Sequence, residues 1–555
     1  MAIKENRRSL RTVGSEVLVL LVSSFLLSIA FPGFMTDEGL GFIALLALIP
    51  VFAVIRNTSW KLVWIYGFFY GFSYYTFFNY WMKGFHALAI LIVPIIKGGE
   101  MVMLFLALKA AVTFFRKRGY LLQAVIWVAY GYLSESWFAG YPYGNIAYAL
   151  YDWRIIIQIA DITGIWGIIF MMVLPQAFVG NYIQGIVAGS REKFRHALMD
   201  NLVPAILYAV LLVLILIYGA VSLSRWEDKQ PDMTWRVAAV QHNHDSWKGG
   251  YTTYLHNFNN LRKLTLESLQ ENPDIVIWSE TAFVPSVAWH TTYSTSSDSP
   301  YANVASMVND FVSFANSLPV PLLTGNPEGV IKDPDLPPVA EDGTMNRKDY
   351  NTVILFDDGQ IKETYRKQHL VPFTEHFPYQ KTMPWLYNML LANDYNWWEK
   401  GDEPVVFNAS GVTFSTPICF EDVFGYLSAE YVGNGADVIV NMTNDSWSKT
   451  ESAEMQHAAI AIYRSIETRK STVRGTNSGI SCMITPDGTM HEIMKPFEMG
   501  WHVYQVPVYT HQSNADTFYV NHIDLFAHIA IIISAASLAA GAVLCIIRAM
   551  RKKES

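Results

Sequence analysis

Charge is the first thing this sequence is short of. Only 16% of its 555 residues are Asp, Glu, Lys or Arg, against about 25% in an ordinary soluble protein. Together with 52% hydrophobic residues and a mean hydropathy of +0.20, that shortage argues against a wholly soluble enzyme. Cysteine is scarcer still. Cys419, Cys482 and Cys545 form neither a disulfide framework nor the spacing of a zinc or iron–sulfur site. There is no cationic excess, and a net charge of −8 offers no field to nucleic acid, so no nucleic-acid partner is expected. Aromatic residues, by contrast, are abundant: 17 Trp, 30 Tyr and 32 Phe exclude a solvated, disordered chain. A membrane protein with a water-exposed part is what remains.

Apolar runs cluster at the two ends, near 17–34, 39–55, 62–81, 86–114, 121–138, 155–185 and 202–223, with a last near 523–548. Each has about the 17–25 residues that cross a bilayer core, and the sixth is expected to begin as an interfacial segment. The first is expected to stay on the chain, because no small-residue cleavage site separates it from the runs that follow. Arg7, Arg8 and Arg11 precede the first run, Arg56 and Lys61 follow the second, and Arg116, Lys117 and Arg118 follow the fourth. Arg191, Lys193 and Arg195 follow the sixth, and Arg548, Arg551, Lys552 and Lys553 follow the last. The intervening loops are nearly bare apart from Lys83. This alternation obeys the positive-inside rule, so both termini are expected in the cytoplasm and the long segment after the seventh run outside it. The expected division is a polytopic α-helical membrane domain of seven spans over 1–224, an outer catalytic domain over 225–520, and an eighth span with a basic tail over 521–555. In the fourth run, Pro94-Ile-Ile-Lys97-Gly-Gly-Glu100 joins helix breakers to two ionisable residues. It reads either as a re-entrant segment near a lipid headgroup or as a mutually neutralising pair at i,i+3.

Residues 235–510 change character. Short β-branched runs begin at Arg236, Ile275, Val320, Thr352, Val438 and Ile480, with helix-like stretches at 251–270, 302–317 and 453–469. Strands alternating with helices predict an α/β layered domain. Asp357-Asp358-Gly359 and Pro486-Asp487-Gly488 read as hairpin turns, and the polar stretches 290–301 and 331–349 as surface insertions.

Three places carry chemistry: Trp278-Ser279-Glu280-Thr281, Tyr365-Arg366-Lys367-Gln368-His369-Leu370-Val371-Pro372-Phe373, and Pro417-Ile418-Cys419-Phe420-Glu421-Asp422. Glu280 ends an apolar strand and Cys419 follows another, the positions where functional groups converge in α/β folds. Brought together, a thiolate can attack, a nearby ammonium can lower the thiol pKa from about 8.5, and a carboxylate can take the thiol proton and return it to a leaving group. Cys482, in an apolar strand, and Cys545, in the last span, read as buried small hydrophobes.

In this order the three motifs resemble the nitrilase, or carbon–nitrogen hydrolase, superfamily. With seven spans before and one after, the chain resembles that superfamily's membrane-embedded branch, the bacterial apolipoprotein N-acyltransferase family. The likeness covers nearly the whole chain. It includes Gly140-Tyr-Pro-Tyr143, Gln241 to Trp247, Leu370-Val-Pro-Phe-Thr-Glu375-His-Phe-Pro, Asn444-Asp-Ser-Trp447, Gln456-His457 and Arg474-Gly-Thr-Asn477-Ser-Gly479. It implies an αββα sandwich in which Glu280 is general base, Lys367 holds the oxyanion and Cys419 is the nucleophile. Glu375 and Glu421 match further acidic residues of the site, Trp247 matches a tryptophan of a mobile loop, and Trp447 and Phe420 fall in substrate-binding or supporting positions. The implied reaction takes an acyl chain from a membrane phospholipid through a Cys419 thioester to the α-amine of a diacylglyceryl-cysteine apolipoprotein, at the inner membrane with the catalytic domain in the periplasm. Neither cofactor nor metal is expected. The chain departs from the family pattern at Phe420, where Tyr is usual, at Ser448-Lys449 in place of Phe-Gly, and at Tyr143 in place of Trp.

Read from the residues alone, Met383-Pro-Trp385-Leu-Tyr387-Asn-Met389-Leu-Leu391, continuing to Tyr395-Asn-Trp397-Trp398, is either an apolar arm dipping into the outer leaflet or a helix packed on the core. The arm would favour a lipid substrate over two rival readings, a membrane-tethered amidase for a small soluble amide and a catalytically idle lipoprotein-binding scaffold. A transporter has only Lys97 and Glu100 in its favour. His242 and His244 have no third ligand at useful spacing and read as surface histidines, and His457 reads as packing behind the site.

Overall fold

The computed structural model describes residues 9–84, 89–137, 140–187, 191–294, 301–392, 397–512 and 516–554. The chain divides into two compact units. One holds Met1–Asp228, Met455–Tyr463 and His522–Ser555, and the other Lys229–Glu454 and Arg464–Asn521.

The first unit is helical. Its long elements are Leu10–Ser28, Ile49–Asn57 behind the 3-10 turn Gly41–Leu45, Trp60–Phe78, Ala89–Phe115, Gly119–Ser136, Ile165–Val187, Leu202–Asp228 and Leu525–Glu554. These fall on the eight apolar runs. Among the described residues, length and hydropathy alone single out 5 candidate spans, one of which, Ile90–Ser136, contains two helices parted by the turn Arg116–Arg118. Gly41–Asn57 is shorter, and Trp60–Phe78 carries so much Trp and Tyr that its hydropathy is lower. The sixth run opens with two single-turn helices, Arg154–Ile157 and Ala160–Thr163, before Ile165–Val187.

Of the two readings of residues 94–100, the pair at i,i+3 holds and the re-entrant one fails. Ala89–Phe115 continues unbroken through Pro94, Gly98 and Gly99, so the segment is not re-entrant. A proline is tolerated in a membrane helix because neighbouring groups re-satisfy the freed backbone, and Gly98 lets Phe68 approach, since a Cβ there would lie 3.1 Å from its ring. Lys97 is a partner, not a break: its Nζ lies 3.0 Å from Glu100 Oε2 and donates to Ser134 Oγ at 2.6 Å. The rings of Tyr75 and Tyr141 face the same ammonium at 5.6 and 5.8 Å.

The second unit is an α/β sandwich. Its first sheet contains β1 (Met233–Gln241), β2 (Ile275–Ile277), β3 (Leu322–Ile331), β4 (Arg347–Asp357), β5 (Gln360–Arg366) and β6 (Trp398–Glu399). The second contains β7 (Phe407–Ala409), β8 (Val412–Ser415), β9 (Val438–Thr443), β10 (Ser471–Thr476), β11 (Cys482–Ile484) and β12 (Met490–His491), while β13 (Gly500–Val508) returns to the first. The orders are β13-β1-β2-β3-β4-β5, with β6 beside β4, and β12-β11-β10-β9-β8-β7. Strands β8, β9 and β10 are parallel, as their helical crossovers Gly425–Gly433 and Glu451–Thr468 require. Between the sheets the rings of Trp235 and Phe414 sit 5.1 Å apart. Gly475 leaves room for Ile277 of the facing sheet, because a Cβ there would meet it at 2.9 Å. On the other face of the first sheet, Phe258 and Leu261 of helix Tyr251–Ser268 and Val308 and Phe311 of helix Ala302–Ser317 pack with Trp278 and Phe283.

Both hairpin turns form. Asp358 and Gly359 take φ of 47° and 77° between β4 and β5, as a two-residue turn with right-handed twist demands, and Gly488 takes φ 84° between β11 and β12. The stretch 290–301 is only partly as expected: Val287–Tyr293 is a helix with Trp289 and His290 buried, and 295–300 lie outside the described residues. Residues 331–349 join the paired strands β3 and β4.

Candidate active site

Glu280 follows β2, Lys367 follows β5 and Cys419 follows β8, so three strand ends deliver three reactive side chains. Lys367 is fully buried. Its Nζ lies 3.2 Å from Glu280 Oε1 and 2.8 Å from Glu375 Oε1. Burial alone would push this ammonium down, but the two carboxylates override it and hold Lys367 well above its ordinary value. Glu280 is pushed up by burial against the pull of Lys367. It is held by Asn351 Nδ2 at 2.8 Å on Oε1 and by the Asn444 N–H at 3.1 Å on Oε2. Glu375 is held in turn by the Val371 N–H, which donates to Oε2 at 2.8 Å.

Cys419 opens the 3-10 turn Cys419–Val423 with φ 48°. A left-handed conformation in a non-glycine residue is costly and is kept where the surroundings impose it. The side chain is buried but not sealed, at 9% exposure. Burial, then Glu280, pushes the thiol well up, while Lys367 and the nearby Thr443 hydroxyl pull it down.

Glu421 fixes that turn. Its Oε1 accepts from the N–H groups of Gln368 and His369 at 2.7 and 2.9 Å and from Tyr365 OH at 2.8 Å, and its Oε2 accepts from the Ile418 N–H at 2.8 Å. One buried carboxylate thus ties the segment after Lys367 to the turn of Cys419. Burial pushes it up to about 7. Behind it, Arg474 pairs with Asp422. Phe420 is buried, its ring 5.9 Å from His369 and 5.1 Å from Phe424.

The structure therefore gathers Glu280, Lys367 and Glu375 in direct contact, with Cys419 in their field and Glu421 beneath its turn. Trp247, 53% exposed, and the half-buried Trp447 lie on loops joined by a hydrogen bond from the Ser246 N–H to Ser446 Oγ. Sequence reasoning missed Asn351, Thr443 and the backbone of Asn444. Asn444 opens a motif that was noticed, whereas a lone Asn351 in a strand gives no signal. His242 is not a surface residue: it is buried, and burial pushes it down to about 3, so it is neutral. His457 is buried within the helical unit, its ring 6.0 Å from Tyr143. Among the described residues, no group of three or more His, Cys, Asp or Glu is placed to hold a metal ion.

Chemically, this set can deprotonate a thiol, direct it at a carbonyl carbon and neutralise the oxygen that becomes charged. The family model described as "Apolipoprotein N-acyltransferase N-terminal domain" matches residues 23–178, and the model "Carbon-nitrogen hydrolase" matches residues 236–512. The chain is 33% identical to apolipoprotein N-acyltransferase 1 of Treponema denticola, over 89% of this chain and 91% of that one. It is 33% identical to the protein of the same name in Treponema pallidum, over 89% and 90%. Apolipoprotein N-acyltransferase of Borreliella burgdorferi is 26% identical over 91% and 92%.

Proposed function

The chain belongs to the apolipoprotein N-acyltransferase family, and from that premise we propose how its own residues perform the transfer. It is a membrane-bound acyltransferase of lipoprotein maturation. In the first half-reaction Glu280 takes the thiol proton and Cys419 Sγ bonds to the ester carbonyl carbon of a membrane phospholipid. The carbon–oxygen bond breaks, a lysophospholipid leaves with the proton, and a thioester remains. In the second, the α-amine of a diacylglyceryl-cysteine apolipoprotein attacks the thioester and loses its proton to Glu280, the carbon–sulfur bond breaks, and Glu280 returns the proton to the departing Cys419 sulfur. An α-amine with a pKa of about 8 is partly neutral at working pH and competent to attack. Lys367, held cationic by Glu280 and Glu375, neutralises the carbonyl oxygen in both tetrahedral intermediates.

The observation that carries this reading is the buried ammonium shared by two carboxylates beside a cysteine on a left-handed corner. A second observation favours a lipid over a small soluble amide. Helix Pro384–Leu391 has no buried residue, and Trp385, Met389 and Leu391 are 67%, 49% and 40% exposed. It is an apolar arm for the outer leaflet; Trp397 is half-buried with its ring 6.4 Å from Tyr387, Trp398 lies in β6, and Tyr395 lies outside the described residues. The arginine-rich loops support an inner-membrane location with residues 1–224 and 521–555 as membrane domain and tail, and residues 225–520 on the periplasmic side.

The test is transfer itself. Purified protein in mixed micelles with a phospholipid labelled in its acyl chain and a diacylglyceryl-cysteine peptide should yield N-acylated peptide and lysophospholipid in equal amounts. Release of labelled fatty acid alone, or turnover of small amides in preference to the peptide, would contradict it.

A further inference from the structure

The loop from Asn243 to Gly250 reaches Glu280 through a single residue. Its tip is exposed, and left-handed residues bound it, Asn243 at φ 49° and Gly250 at φ 97°. A Cβ at Gly250 would meet only open space. Polar bonds seat the near side. The Asn243 and His244 N–H groups donate to Asn477 O and Oδ1, each at 2.8 Å, and Asn477 Nδ2 donates to His244 O at 2.7 Å. Ser246 donates from Oγ to Asn444 Oδ1 at 2.9 Å and from its N–H to Ser446 Oγ at 3.3 Å.

Asn444 Oδ1 thus collects three donors: Ser246 Oγ from the loop, Ser446 Oγ at 3.0 Å and Asn477 Nδ2 at 2.9 Å. The N–H of the same residue donates to Glu280 Oε2 at 3.1 Å. We propose that Asn444 is a positioning residue that couples the seating of the Trp247 loop to the setting of the Glu280 carboxylate. This rests on the reading of Glu280 as the base. With the loop down, three donors fix Asn444 and its N–H holds Oε2. When the loop lifts to admit a lipid chain, Ser246 leaves, the Asn444 turn slackens and Glu280 loses a donor. The base is then properly set only under a closed loop, and a thioester waiting under an open one is shielded from base-assisted attack by water.

A donor to the ionised form of a carboxylate favours that form, so loosening Asn444 makes Glu280 ionise at higher pH. The other groups facing Glu280 are Lys367, Glu375, Asn351 and Cys419. The loop's own titratable groups are His244, Asp245 and Lys248, the last two 3.9 Å apart.

The experiment follows the rate of Cys419 acylation in the full chain against pH, by intact mass, with a defined phospholipid in micelles. Ser246→Ala should move the acid limb of the profile to higher pH by about half a unit. Ser246→Thr, which restores the hydroxyl, should return it. Ser446→Ala, which removes a different donor from the same carbonyl, should move it the same way and serves if Ser246→Ala does not fold. A Ser246→Ala profile that superimposes on the parent while only KM changes would overturn the coupling and leave Ser246 a simple loop tether. A shift that Ser246→Thr does not reverse overturns it as well. No acylation of the parent protein at any pH would overturn instead the reading of the site on which the coupling depends.

Discussion

At the scale of single residues, the site works by opposing fields. Burial and Glu280 push the Cys419 thiol up while Lys367 pulls it down, so the resting group is the neutral thiol. Alkylation of Cys419 by iodoacetamide should therefore be slow at neutral pH and rise only above the usual thiol range of about 8.5. Lys367→Met should slow it further, and an inflection below neutrality would contradict this balance. Glu421 acts through geometry. Glu421→Ala strips the partner from three backbone N–H groups at once, which should lower stability by at least about 3 kcal/mol, read as a lower midpoint in urea, and should abolish acylation. These residues were legible because each sits in an unusual string after a strand-like run. Asn351 was not, since its importance depends on the side chains opposite it in space. His242 misled because burial is set by tertiary packing, which a local polar sequence does not reveal.

At the scale of elements, periodicity and turn chemistry foretold most of the second unit. The Asp358-Gly359 turn is the clearest instance, because only its backbone conformation explains the pair. Gly359→Ala, at φ 77°, should cost about 1 kcal/mol, measured as a shift in thermal midpoint. Sequence was silent where two readings shared one pattern. Pro94 and its glycines read as a break, yet helix packing absorbs them. The apolar stretch at 383–391 fitted a core helix and an arm equally well until its exposure was known. Trp385→Glu tests the arm. Losing the burial of one large aromatic side chain in lipid, about 1.5 kcal/mol or more, should weaken binding to phospholipid vesicles about tenfold and leave alkylation of Cys419 unchanged.

At the scale of the whole molecule, the alternation of basic and bare loops is the basis of the proposed topology, because membrane insertion responds to charge count and not to fold. A cysteine placed at the exposed Glu341 (Glu341→Cys) should react with a membrane-impermeant maleimide in intact spheroplasts, whereas one at Arg551 (Arg551→Cys) should react only after the membrane is opened. The reverse pattern would invert the chain. The central claim, a thioester on Cys419 as the carrier between phospholipid and lipoprotein, is tested most directly by intact mass spectrometry of the purified protein after incubation with phospholipid, beside Cys419→Ala. An acyl-sized adduct, removed by hydroxylamine and absent from the variant, is the expected result. A folded protein that acquires no adduct, or acquires one equally in Cys419→Ala, would contradict it.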